Sequence, residues 1–161
     1  AYGQAKIYYD NIGVGAFAGS KFREINSETG ARIQYEGFGA GDAVMWPDDE
    51  YTDGVTNRDH FSNLKAQAWA GVADRLRETY NAIRYGRDID TSRVISISSD
   101  IEHKDRLFNE LSMLVWDYDM AGRHKVISKK DMDELSPNIA DAFIVAYSPL
   151  VASVIDYSKL L

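Results

Sequence analysis

Apolar positions recur along the chain with two periods, and the switches between them mark its elements. Ala5–Tyr9 is a short run rich in Ile and Tyr that closes at Asp10, which predicts a buried strand. Gly13 and Gly15 follow. Ala16–Ile25 then sets Phe17, Lys21 and Ile25 at helical spacing, and Asn26–Gly30 reads as a turn. Ala31–Phe38 carries Ile33, Tyr35 and, after Gly37, Phe38, which predicts a second strand. Strand, helix, strand favours a parallel pair with a right-handed crossover. Gly39–Asp59 is rich in Gly and acidic residues and predicts a long polar loop. From His60 the period is helical: Phe61, Leu64, Ala68, Val72, Leu76, Tyr80 and Ile83 form one face of a long amphipathic helix that ends near Gly86. Arg84, Arg87 and Arg93 surround its end, where cations suit the helix dipole. Val94–Ile97 is briefly apolar. His103–Leu111 reads as a helix with Leu107, Phe108 and Leu111 inward, and Met113–Tyr118 with His124–Ile127 as a hairpin across Asp119–Arg123. Ser136-Pro137 signals a helix start, with Ser as N-cap and Pro first in the helix, and that helix runs over Asn138–Tyr147 until Pro149.

Composition narrows the function classes. A length of 161 residues with 45% hydrophobic residues fits one domain with a real core. The absence of cysteine removes disulfides, zinc ribbons and thiol nucleophiles. A net charge of -7 argues against a general nucleic-acid coat, but not against a nuclease, which needs carboxylates and only local basic patches. AYGQAKIYYD is no signal peptide, and the longest apolar stretches, such as Ala142–Tyr147, fall far short of the ~20 residues that span a membrane. A chain that opens on a strand without an initiator Met reads as a piece of something longer.

Several motifs are decoys. GVGAFAGSK over Gly13–Lys21 does not match G-x-x-x-x-G-K-[ST] in any register. His60, His103 and His124 lack zinc-ligand spacing and read as surface residues or helix-end cations. No G-x-S-x-G elbow exists. Two carboxylates say more. Asp10 ends a parallel strand just before a Gly-opened helix. That is where α/β sheets place their sites, and also where an Asp caps a helix. Asp141 lies among Ile139, Ala140, Ala142, Phe143 and Ile144, which predicts a buried acid needing a cation or a metal beside it. Two such acids suit hard divalent cations, and a two-metal site usually adds a third or fourth acid.

The order of these motifs is similar to a known family. IYYDNIGVG at Ile7–Gly15 is followed by FSNLKAQAW at Phe61–Trp69. Asn109-Glu110-Leu111 comes next, then VISKKD at Val126–Asp131, and SPNIADAF at Ser136–Phe143 closes the series. Together they resemble the C-terminal nuclease domain of the large terminase subunit of tailed bacteriophages, over roughly residues 5–149. The resemblance implies an α/β, RNase H-like mixed sheet flanked by helices, here lacking its first strands. It also implies a two-metal endonuclease that uses Mg²⁺ or Mn²⁺ to cut concatemeric double-stranded DNA during packaging. Asp10 and Asp141 match the family's second and third catalytic, metal-binding acids. Lys129 matches a lysine close to DNA phosphate, with Lys130 beside it, and Lys65 either pairs with an acid or approaches phosphate. Asn63 and Trp69 of the N-x-K-A-x-x-W pattern read as architectural. The family's first acid lies on an earlier strand that no residue before Ala1 supplies, and Asn138 stands where the family often has Asp. The resemblance further implies an upstream ATPase domain, portal protein and small terminase subunit as partners, no membrane, and the cytoplasm of an infected bacterial host. The alternatives are another RNase H-like nuclease, such as a resolvase or integrase core, and a non-catalytic module binding portal or capsid through the acidic loop.

Overall fold

The computed structural model describes residues 6–127 and 137–149. The chain divides into two compact units, with the boundary between Asp42 and Ala43. The α/β class holds. The strands of the described residues form three two-stranded sheets, one parallel and two antiparallel.

In the first unit, β1 (Lys6–Asp10) pairs in parallel with β2 (Gln34–Phe38), in a register running from Lys6 opposite Gln34 to Asp10 opposite Phe38. A 3₁₀ turn (Gly13–Phe17) leads into α1 (Ala18–Thr29), which connects the two strands. Tyr9, Phe22 and Tyr35 join strands to helix through ring contacts, with the Phe22 and Tyr35 centroids 5.3 Å apart. Lys6 and Glu36 form an ion pair across the two strands. The helix continues through Asn26–Thr29, where the sequence predicts a turn, and ends at Gly30 with φ 69°. Asn26 explains the difference. Its side chain accepts from the Ile33 N–H at 2.9 Å and donates to the Ile33 carbonyl at 3.0 Å, so a turn-forming residue serves instead as a bracket from helix to returning chain.

The second unit opens on the predicted polar loop, which is only partly a loop. β3 (Glu50–Thr52) and β4 (Val55–Thr56) form a small antiparallel hairpin, followed by α2 (Asn57–His60). Asp53-Gly54 turns the chain, with Gly54 at φ 75° where a side chain would be strained. The acidic residues around it stay solvated, as expected: Asp42, Asp48, Asp49, Glu50 and Asp53 are all exposed.

Helix α3 (Leu64–Tyr85) is the spine of this unit. Asn63 caps it by accepting from the Ala66 N–H at 2.9 Å, and Gly86 ends it. Its opening turns are enclosed nearly all round, with Leu64, Ala66, Gln67, Ala68, Trp69, Ala70 and Val72 buried. Gln67 inside this wall is satisfied by the backbone of Met45, donating to its carbonyl at 2.9 Å and accepting from its N–H at 2.8 Å. The continuous apolar face predicted from the spacing does not persist. Tyr80 and Ile83 are 56% and 81% exposed, because the core elements cover only the first half of the helix. Phe61, Ala66 and Ala70 form the core with Val44, Tyr51, Trp116 and Val126 around them.

Helix α4 (Lys104–Ser112) buries Leu107, while Phe108, expected inward, is 46% exposed. Val94–Ile97 forms no strand, although Ile95 is buried. The predicted hairpin forms as β5 (Trp116–Tyr118) paired with β6 (His124–Val126). Helix α5 (Asn138–Ala146) packs on α4 and α3 through Ala140 and Ile144. Pro137 flanks this helix rather than opening it, and the expected Ser136 cap lies outside the described residues. Among the described residues no helix is long and apolar enough to cross a membrane.

Candidate functional site

Asp10 stands in the first unit at the carboxyl end of β1, exposed to solvent. Its Oδ1 accepts from the Ile12 N–H at 2.9 Å, which makes an Asx turn out of the strand. Neither the 3₁₀ turn nor α1 takes a side-chain cap, so Asp10 turns the chain out of the strand rather than capping a helix. The following turn is pressed against it: a Cβ on Gly15 would stand 1.7 Å from the Asp10 carbonyl oxygen. No side chain fits there, so Gly15 fixes how the chain leaves the strand.

Asp141 stands in the second unit, in the first turn of α5, with its backbone N–H donating to the Pro137 carbonyl at 2.8 Å. The sequence predicts a buried acid, but its side chain is 28% exposed. The apolar composition misleads because much of it is alanine: Ala142 and Ala146 are exposed, and only Ala140 and Ile144 are enclosed. The expected cation is present. Lys65, in the first turn of α3, holds its Nζ 3.7 Å from Asp141 Oδ1, and its own side chain is 22% exposed. Lys65 and Asp141, two of the residues predicted from the sequence, therefore meet although 76 positions separate them (141 minus 65).

A third acid supports this junction. Glu110, in the last turns of α4, is 6% exposed. Its Oε2 accepts from the Ile139 and Ala140 N–H groups at 2.7 and 2.9 Å, and its Oε1 accepts from Arg106 Nε at 2.7 Å. Burial pushes its carboxyl pKa upward. The Ala140 N–H, the Arg106 guanidinium and the Ile139 N–H outweigh that and hold it below the usual value. The motif Asn109-Glu110-Leu111 does not by itself reveal this role of Glu110. Its signal was an acid three residues from Leu107 on the apolar side of a helix. Lys65, Trp69, Glu110, Val126 and Pro137 line a cavity of about 20 Å³, room for little more than one water. Trp69 is 5% exposed there and packs, as read from the sequence.

Lys129 and Lys130 lie outside the described residues. Their neighbour Lys125 pairs with Asp117 across the hairpin at 3.0 Å. The histidines are not all surface residues. His60 and His124 stack with centroids 4.4 Å apart and planes at 13°, wrapped by Tyr51, Phe61, Trp116 and Tyr118. Burial first, then His124, lowers the His60 pKa, and Asp74 opposes both. Among the described residues no three His, Cys, Asp or Glu side chains cluster as a metal site would require. The donor chemistry of Asp141 nonetheless suits a hard divalent cation: it is a carboxylate oxygen donor that already has a positive charge beside it.

No family model and no curated protein matches the chain significantly. Solved structures do. A variant of the nuclease domain of the large terminase subunit gp2 of bacterial virus Sf6, with manganese and β-thujaplicinol, matches at 29% identity and TM-score 0.77. The unmodified nuclease domain matches at 27% and 0.74, and a variant with calcium at 27% and 0.73. Each match covers 86% of this chain and 63% of the solved one, so the chain spans less than two thirds of the domains it resembles. The fold assembled by these residues is similar to that of the nuclease domain of a phage large terminase subunit, the likeness that the order of its motifs implied.

Proposed function

We propose that this chain is the nuclease part of a phage DNA-packaging motor, an RNase H-like endonuclease that cuts concatemeric double-stranded DNA with Mg²⁺ or Mn²⁺. The observation that carries this reading is Asp141 at the head of α5 beside Lys65, in a fold matching a domain solved with manganese. A pair of divalent ions, when bound, supplies an activated water and neutralises charge on the phosphate. Asp141 offers a carboxylate oxygen to such an ion, and Asp10 is the other acid to which the motif resemblance gives that role. Lys65 balances the charge of Asp141 until a cation is bound, and then becomes available to phosphate. Lys129 and Lys130 contact the DNA backbone, which makes cleavage sensitive to salt. The resemblance to the family puts the remaining acid on an earlier strand of the nuclease fold. An ATPase domain upstream, a portal protein and a small terminase subunit complete the motor, in the cytoplasm of the infected bacterial host.

Supercoiled plasmid incubated with the full-length protein and Mn²⁺ is expected to be nicked, and Asp141→Ala to reduce nicking to background. Undiminished nicking by Asp141→Ala removes that residue from the site.

A further inference from the structure

We propose that Glu110 is a positioning residue of this site: its carboxylate clamps the first turn of α5 and so fixes where the Asp141 side chain stands beside Lys65. The proposal rests on the reading of Asp141 as a metal ligand.

A helix leaves its first N–H groups without partners, and Pro137, the flanking residue of α5, caps none of them with its side chain. Glu110 reaches across from α4, 29 residues earlier in the chain, and takes the Ile139 and Ala140 N–H groups on a single oxygen. Asp141 is the next residue. Its Cα is therefore tied to α4 through one buried carboxylate, and Arg106 Nε at 2.7 Å holds that carboxylate from its other oxygen. Leu107 on α4, with Ala140 and Ile144 on α5, is buried in the same region, so the helices cannot slide to compensate for a lost clamp. The arrangement is that of an outer partner holding a ligand-bearing element. Such partners typically change metal affinity by about 10–100-fold when removed. A negative charge at the amino end of α5 also suits the helix dipole, but a cap alone would need no buried acid held on both oxygens.

Mn²⁺ affinity of the full-length protein, followed by calorimetric titration with Mn²⁺ alone well below the unfolding temperature, tests this. Glu110→Ala is expected to weaken binding by about tenfold. Glu110→Gln, equal in size and still an acceptor, is expected to keep affinity within about threefold, and Glu110→Asp, charged but one methylene short, to lose most of what Glu110→Ala loses. If Glu110→Ala does not fold, the contrast between Gln and Asp decides alone. Lower melting temperatures with unchanged Mn²⁺ affinity in Glu110→Ala, or in Glu110→Asp, would reduce Glu110 to a structural cap and overturn the proposal. Asp141→Asn is the control. If it binds Mn²⁺ like wild type, the metal reading of Asp141 fails; if it does not while the Glu110 variants bind normally, only the positioning role fails.

Discussion

Lys65 and Asp141 bring opposite charges to half-buried positions, where each lessens the cost of desolvating the other. At 3.7 Å and partly exposed, the pair is modest. Lys65→Met is expected to cost about 0.5–1 kcal/mol in urea denaturation, and Asp141→Asn to cost less in that background than alone. Additive losses would show that the two do not interact. Glu110 supplies a pH signature. Its folded pKa lies below the ordinary 4.5, so the stability it contributes is complete above that value and is lost as pH falls through the lower folded value. The advantage of wild type over Glu110→Gln should therefore shrink as acid is added, and a gap independent of pH would contradict the assignment. His60 acts through the same linkage at higher pH. With its folded pKa below 6.5, the unfolded chain binds the extra proton, so stability is full above pH 6.5 and declines below it. His60→Phe should flatten that decline in melting curves recorded across the range.

At the scale of elements, caps and tight turns place the acids. Asn63→Ala is expected to destabilise the protein by about 1 kcal/mol, since it removes the acceptor that starts α3 just ahead of Lys65. Strands, helices and their order were largely legible, because β1, α3 and the β5–β6 hairpin each carry strong local periodicity and clear stop signals. What local pattern could not show was where the core ends. Tyr80, Ile83 and Phe108 keep helical spacing but face solvent, since covering them depends on neighbours that no spacing encodes. Asp141 and Lys65 were legible as residues, and their meeting was not, because it depends on how α3 packs against α5. The role of Glu110 was not legible, since its partners are backbone groups 29 and 30 positions away.

For the whole molecule, a net charge of -7 and a proposed DNA substrate are compatible only if contact is local. The acids are spread over solvated surface, as in Asp42–Asp53, while the site draws on few cations. Plasmid nicking by the full-length protein should therefore fall steeply with added salt, and activity indifferent to salt would speak against phosphate contacts by lysine. The central claim is that Asp141 holds a divalent cation. Anomalous diffraction from crystals of the full-length protein soaked in Mn²⁺ tests this most directly. A manganese peak in bonding contact with the Asp141 carboxylate, with Lys65 displaced from it, is the predicted result. A peak elsewhere, or an Asp141 still paired with Lys65 at saturating Mn²⁺, would contradict it.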